Sequence, residues 1–433
     1  MASHAILQTI ATSARRLTAG ILPAALVAGL LWSAAPARAD TQAGYRDFQY
    51  ATSGSAQTTY GKPESKLWFN DGTWWGVLLP KGKGFHIYRF DSGTQAWKDT
   101  GTLVDSRRGS RQDVLWDGTH LYVASHVLCQ NCSNSGVPSY LYRFSYNPTT
   151  KVYTRDAGFP VQINNYSSET LVIDKDSTGR LWATWVQGPS GSRRVYVAAT
   201  NGNDTQWGTP FVLPLDNTTT ANDDISSLVS FGTNIGVMWG NQLSGKDAFY
   251  FGVHPDTGAP DVGWTEETAL SGSDMADDHI NLKADPAGNV YAAVKTSQAT
   301  ADSPLIELLV RSAISSTWTA YPVSDYSQHE TRPIVLLDPT DGKIDIFLTG
   351  PPHGGGGTDS GGSIYEKSTT IANPSFDRKD NGVLVMHDIT ATYGDNLNNP
   401  TSTKQGVSAA TGELVEASNA KTMYYWHSYE ATP

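Results

Sequence analysis

The chain runs to 433 residues with 13 Trp, 20 Tyr and 41 Gly, and 17% of it is charged. That composition belongs to a globular, aromatic, turn-rich protein and excludes a disordered one. With 31 basic against 42 acidic residues the net charge is −11, which repels nucleic acid and anionic lipid over most of the surface, so an anionic substrate has to meet a local basic pocket.

Residues 1–39 differ in kind from the rest. Arg15 and Arg16 form a basic start, Leu17 to Ala35 is apolar, and Ala37-Arg38-Ala39 before Asp40 fits the small-x-small rule of signal peptidase. A signal peptide is therefore expected over 1–39, followed by one exported domain over 40–433. The apolar run is too short and too N-terminal for a permanent membrane span, and no second run of about 20 apolar residues follows. Cleavage takes away three arginines and no acid, leaving 28 basic and 42 acidic residues and a net charge of −14. In an extracellular or periplasmic protein, Cys129 and Cys132 of Cys-Gln-Asn-Cys are expected to form a local disulfide.

The mature chain opens with a spare strand, Tyr45-Arg46-Asp47-Phe48-Gln49-Tyr50, and then repeats one pattern seven times. Each repeat starts with polar or charged residues, passes into an apolar run, and turns at a glycine: Gly72, Gly118, Gly179, Gly232, Gly288, Gly342 and Gly412. The repeats start at Glu64, Arg111, Ser168, Asp223, Asp277, His329 and Pro400, and the period of roughly 55 residues is that of the longer propeller blades. A third strand follows in each repeat, for example Phe85 to Phe90 and Leu305 to Arg311. A fourth begins near a recurrent aromatic: Trp97, Tyr153, Trp207, Trp264, Trp318 and Phe376. The seventh repeat lacks a fourth strand. The expected fold is all-β: a seven-bladed propeller of four-stranded antiparallel blades, with Asp40 to Tyr60 supplying the outer strand of the last blade and closing the ring.

In that topology the starts of the seven innermost strands share one face with the long second-to-third connections, and the short glycine hairpins fall on the other. Scattered polar residues then converge on one channel mouth. Opposite charges in one pocket suit a uronic-acid polysaccharide: cations neutralise the sugar carboxylate, and a His or Tyr moves the adjacent proton. The candidates for a lyase are His279, His329, Arg332, Lys66 and Arg111, with Tyr166 as a possible acid; Glu169 is a further catalytic candidate, and Asp113, Asp224, Asp278, Asn281, Glu330 and Lys404 are expected to bind substrate. A hydrolase would use two carboxylates instead, drawn from Glu169, Asp113, Asp224, Asp278 and Glu330. Asp277 and Asp278 with Asn398 or Asn399 could hold calcium through oxygen ligands, the one cofactor these residues suggest.

Two motifs carry a family resemblance. The Asp, Gly and Trp of Arg89-Phe90-Asp91-Ser92-Gly93-Thr94-Gln95-Ala96-Trp97 resemble the repeats of BNR or sialidase-type propellers. Asp277-Asp278-His279-Ile280-Asn281, followed by Asp285 to Gly288 and a hydrophobic strand, is similar to the Asp-His-Asn strand start of BNR-type propellers that include ulvan lyases and related uronate-cleaving enzymes. In that family a histidine at the strand start takes part in catalysis, a role that would fall on His279. The functional expectation is a secreted carbohydrate-active propeller, most plainly a polysaccharide lyase or a glycosidase acting on an acidic glycan. The alternative is a non-catalytic glycan-binding or adhesion propeller. A monomer with a polysaccharide or oligosaccharide partner is expected, with no nucleic acid and no membrane span.

Overall fold

The computed structural model describes residues 43–52, 58, 59, 62, 64–353, 362–389 and 396–431, so the signal-peptide segment lies outside the described residues. Seven antiparallel sheets follow one another along the chain, and the described residues hold no helix beyond the single turn Tyr326–Gln328. The innermost strands are Leu67–Asn70, Ser110–Trp116, Val172–Lys175, Ser226–Phe231, Ile280–Ala284, Thr331–Asp338 and Leu397–Thr401. They open blades 1 to 7 in that order and surround a central channel. All seven hairpin glycines have positive φ, from 57° at Gly232 to 90° at Gly118, a conformation that a residue with a Cβ adopts at a cost.

Closure is made by the spare strand. Tyr45–Gln49 pairs antiparallel with Tyr424–Glu430, placing Tyr45 opposite His427 and Gln49 opposite Tyr424. Blade 7 is thus built from both ends of the propeller, and its sheet order runs from Tyr45–Gln49 through Tyr424–Glu430 and Glu413–Asn419 to Leu397–Thr401. Phe48 stacks on Tyr88 of blade 1 at 4.7 Å and leans on Tyr425 at 5.2 Å.

The recurrent aromatics explain how blades pack. Trp97 joins the cluster that holds Tyr425 and Trp426 of blade 7, Tyr153 packs with Trp68 and Trp75 of blade 1, and Trp264 packs with Trp182 of blade 3. Trp318 and Phe376 likewise reach the blade before their own. Large flat rings suit this wedge-shaped gap, since each buries much apolar surface while its N–H or O–H finds a partner. Trp97 Nε1 donates to Glu416 Oε2 at 2.9 Å, and Trp318 Nε1 donates to Glu267 Oε2 at 2.9 Å.

The strands depart from expectation at four places. In blade 2 the third strand pairs with two outer pieces, Val152–Arg155 and Val161–Tyr166, rather than with one strand beginning near Tyr153. Trp207 forms an isolated bridge to Thr200, and the outer edge of blade 3 is two short pieces, Phe211–Val212 and Thr219–Thr220. The fourth strand of blade 6 is Val383–Met386, beyond Phe376. The last inner strand starts at Leu397 rather than Pro400, and its ladder breaks between Asn398 and Thr401. Pro400 has no N–H to give and Asn399 has φ 57°, which together account for the break.

Candidate functional site at the channel mouth

The channel wall is held by side chains of the inner strands that take backbone N–H groups from neighbouring blades. Asp113 accepts from Ser65 N of blade 1 at 3.0 Å and from Ile173 N of blade 3 at 2.9 Å. Asp174 accepts from Ser230 N of blade 4 at 2.8 Å, and Asn281 accepts from Val335 N of blade 6 at 3.0 Å. The strand ladders stay within each blade, so these side chains supply acceptors to backbone N–H groups of neighbouring blades. Burial raises the Asp113 carboxyl above its ordinary value against the pull of Lys404, whose Nζ lies 3.0 Å from Oδ2.

At the mouth, residues from four blades and the linker meet. Lys62 lies on the segment that leads from the closing strand to blade 1, and 2% of its side chain is exposed. Its ammonium bridges Glu169 Oε1 of blade 3, at 3.3 Å, and Asp278 Oδ2 of blade 5. Its carbonyl accepts from Asn399 Nδ2 of blade 7 at 3.0 Å. Burial alone would lower the Lys62 pKa, but Asp278 and Glu169 outweigh it and raise it.

The two carboxylates on that ammonium are pushed apart. Burial lifts Glu169 above the ordinary range, and neither Lys62 nor the N–H of Asn131, 2.9 Å from Oε2, cancels the effect. Burial also acts to raise Asp278, yet His279 and Lys62 together hold it well below the ordinary range.

His279 is clamped through one nitrogen. Its Nδ1 stands 2.8 Å from Asp277 Oδ1 and 2.6 Å from Asp278 Oδ1, while Nε2 is buried and has no hydrogen-bond partner. Lys295 Nζ completes the group, 2.6 Å from Asp277 Oδ2. A histidine fixed by carboxylates at Nδ1 presents a base or acid at Nε2.

A second buried network lies beneath. Glu64 Oε1 meets His126 Nε2 at 2.8 Å and accepts from Leu171 N at 3.1 Å, and Glu64 Oε2 lies 3.6 Å from Lys66 Nζ. Burial would raise Glu64, but His126, Lys66 and the Leu171 N–H hold it below its ordinary value. Lys66, donating to Gln112 O at 2.9 Å, is lowered by burial with Arg111 nearby, and burial likewise lowers Arg111.

Other candidates stand apart from the Lys62 group. Asp224 is absorbed by its own loop, accepting from Ala221 N at 2.6 Å and Gln242 Nε2 at 2.9 Å, and burial raises it to about 6. Glu330 accepts from Asn381 Nδ2 at 3.0 Å with Lys367 Nζ 3.6 Å away, and burial raises it to about 7. His329 and Arg332 both have positive φ, 52° and 55°, at the start of the inner strand of blade 6. His329 lines a cavity of about 580 Å³ with His353, Tyr365 and Asn381. Tyr166 ends an outer strand of blade 2, where its carbonyl accepts from Ser139 Oγ at 3.1 Å. Asn398 is fully buried in the last inner strand. On the hairpin side, Lys404, Lys283, Asp174 and Trp116 line a cavity of about 220 Å³. Burial, aided by Lys404, lowers Lys283 there to about 7.

Asp277, Asp278 and His279 offer ligand atoms within 4.8 Å of one another. Two ammonium groups, Lys62 and Lys295, already neutralise the outer oxygens of this set. The expected disulfide joins Cys129 and Cys132, with Cα atoms 5.1 Å apart, and its loop donates the Asn131 N–H to Glu169. Three residues that the strand starts did not point to belong to the site: His126, Lys295 and Arg193. All three border long loops on this face, the only signal the sequence offers for them. Arg193 donates to the carbonyls of Asn131 and Asn222, in the field of Glu169 and Asp223.

No protein-family profile and no curated protein matches the sequence. Among solved structures, the chain is similar to the polysaccharide lyase Uly1, at 9% identity and a TM-score of 0.47 over 90% of this chain and 98% of that one. It is similar to the periplasmic gluconolactonase PpgL of Pseudomonas aeruginosa, at 11% identity and 0.48 over 83% and 88%. The α-L-arabinanase of Penicillium chrysogenum matches at 10% identity and 0.44, over 76% and 99%. Likeness at this level says nothing of chemistry. Among the described residues no helix is long and apolar enough to cross a membrane.

Proposed function

We propose that residues 40–433 form an exported enzyme that cleaves an acidic polysaccharide by β-elimination at the channel mouth. The observation that carries this reading is the clamped His279, whose Nδ1 is held by two aspartates while Nε2 is left without a partner. In the proposed step substrate entry displaces the groups that cover Nε2, and Nε2 then takes the proton beside a uronate carboxylate. The electron pair left on carbon forms the new C=C bond as the glycosidic C–O bond breaks. Glu169, raised by burial, gives its proton to the leaving oxygen. Lys62, released from its bridge as the sugar enters, faces the substrate carboxylate and stabilises the charge that builds there.

A panel of uronate-containing glycans, followed by the ultraviolet absorbance of the unsaturated ends, tests the reading. The wild type is expected to turn over at least one member, with His279→Ala slowed by roughly 10²–10⁴-fold. No absorbance rise on any member overturns it.

A second reading rests on a separate observation. Glu169 and Asp278 share one ammonium and are pushed in opposite directions, the division of labour between acid and nucleophile in a glycoside hydrolase. New reducing ends without the ultraviolet chromophore, abolished by Glu169→Gln, would favour hydrolysis. Glycan binding without turnover, unchanged in His279→Ala, would favour an adhesion module.

A further inference from the structure

The gap between blades 6 and 7 is apolar where Phe347, Ile364 and Val415 meet. Toward the hairpin face the same gap holds three carboxylates. Asp345 comes from the second strand of blade 6, Glu366 from its third strand, and Glu413 from the second strand of blade 7. Their exposures are 0%, 7% and 4%, and one oxygen of each lies within 4.8 Å of the others.

Three acids in an apolar seam need counter-charge. The nearest cation is Lys343, whose Nζ lies 3.1 Å from Asp345 Oδ1 and 3.7 Å from Glu366 Oε1. Ser368 Oγ also bridges these two acids, at 2.6 and 2.8 Å. Neither group reaches the far side of the cluster. Asp345 Oδ2 and Glu413 Oε2 are both buried and accept from no neighbouring donor group; burial and the nearby Asp345 raise the Glu413 carboxyl to about 9, so in the absence of an ion its proton is held against Asp345. Buried carboxylate oxygens without a donor are costly, and a cation placed among them removes that cost.

We propose that Asp345, Glu366 and Glu413 bind one calcium ion that ties blade 6 to the closing blade. The ligand chemistry selects a hard cation, because every atom on offer is oxygen. The spacing fits as well, since oxygens about 2.3–2.6 Å from a calcium stand roughly 3–5 Å from one another. Three carboxylates converging on one point suit calcium better than magnesium, which keeps most of its water and uses one or two. Lys343 is one-third exposed on a flexible stem and can swing to solvent as the ion enters. The competing arrangement is a proton shared between Asp345 and Glu413.

Calorimetric titration of the full chain with calcium chloride, after chelator treatment and dialysis, distinguishes the two. The proposal expects one calcium per chain, binding weakened at least about tenfold in both Glu413→Gln and Asp345→Asn, and binding retained in Asp277→Asn at the channel mouth. No saturable binding by the wild type overturns it, as does binding kept in Glu413→Gln or lost only in Asp277→Asn. If the acid variants do not fold, Lys343→Gln decides. Removing the competing ammonium should tighten calcium several-fold, and unchanged or weaker affinity refutes the site.

Discussion

Replacing Asp113 by alanine tests what the polar wall of the channel is for. The residue is fully buried and serves three partners: Ser65 N at 3.0 Å, Ile173 N at 2.9 Å and Lys404 Nζ at 3.0 Å. Alanine leaves two buried backbone N–H groups without an acceptor, at about 1–3 kcal/mol each, and strands a partly buried ammonium. Against this stands relief from burying an ionised carboxylate, which the raised Asp113 pKa reports. The net expectation is a loss of about 3 kcal/mol, a sizeable share of a typical total of roughly 5–15 kcal/mol. Asparagine should fall between wild type and alanine, since its amide keeps one acceptor but turns an NH2 toward the second backbone donor. Urea unfolding at neutral pH, followed by tryptophan fluorescence, measures the midpoint shift. Asp341→Asn, exposed in the hairpin of blade 6, is the control and should leave the midpoint unchanged. A midpoint for Asp113→Ala within error of wild type would refute the stapling argument.

Three further predictions follow from the same structure. Deleting residues 40–50 exposes the edge of Tyr424–Glu430 and should yield a chain that self-associates in light scattering; an added peptide spanning 43–52 should restore the monodisperse form, and a deletion variant that stays monodisperse with unchanged melting contradicts the closure. Burial, against Lys367, Ser324 and Asn381, raises Glu330 from 4.5 to about 7. The folded state therefore holds its proton more tightly than the unfolded one, and the stability this supplies is complete below pH 4.5 and lost as pH rises through 7, by about 3 kcal/mol. Glu330→Gln should flatten that part of the stability profile, and an unaltered slope would refute it. Replacing Cys129 and Cys132 by serine opens a loop with a sequence separation of only 3 and should cost at most about 2 kcal/mol, measured by denaturant midpoint; its larger effect should fall on Glu169, which loses a fixed Asn131 N–H.

The ring was legible because its signals are local and repeated. Seven hairpin glycines at positive φ and a bridging aromatic in six repeats are single-residue requirements that survive in the sequence as written. The meeting of strand starts from distant repeats was legible in part, since topology alone brings Glu169 toward Asp278 and His279, while Asp224 and Glu330 are taken up by their own surroundings. Their pairings were not. Nothing in linear spacing says that Lys62 reaches Glu169 and Asp278, or that Asp113 spends its oxygens on backbone. The acid cluster of blades 6 and 7 was hidden for a different reason. In Lys343–Gly350 the alternation sets Ile344, Ile346 and Leu348 against Asp345 and Phe347, and a polar residue at that period ordinarily faces water. Both faces of an inner blade strand are covered by neighbouring blades, so period-two alternation does not tell inside from outside here.

The head-to-tail seam has a temporal consequence. A polypeptide made from its amino terminus offers Tyr45–Gln49 first, yet the partner Tyr424–Glu430 is the last strand to be delivered. Six blades can stack in the meantime, but the circle stays unlatched, with Phe48 and Tyr88 lacking Tyr425, until the final segment arrives. A nascent chain stalled short of that point is a ring left open at blade 7. Release of the last strand would then snap the assembly shut in one late, cooperative event.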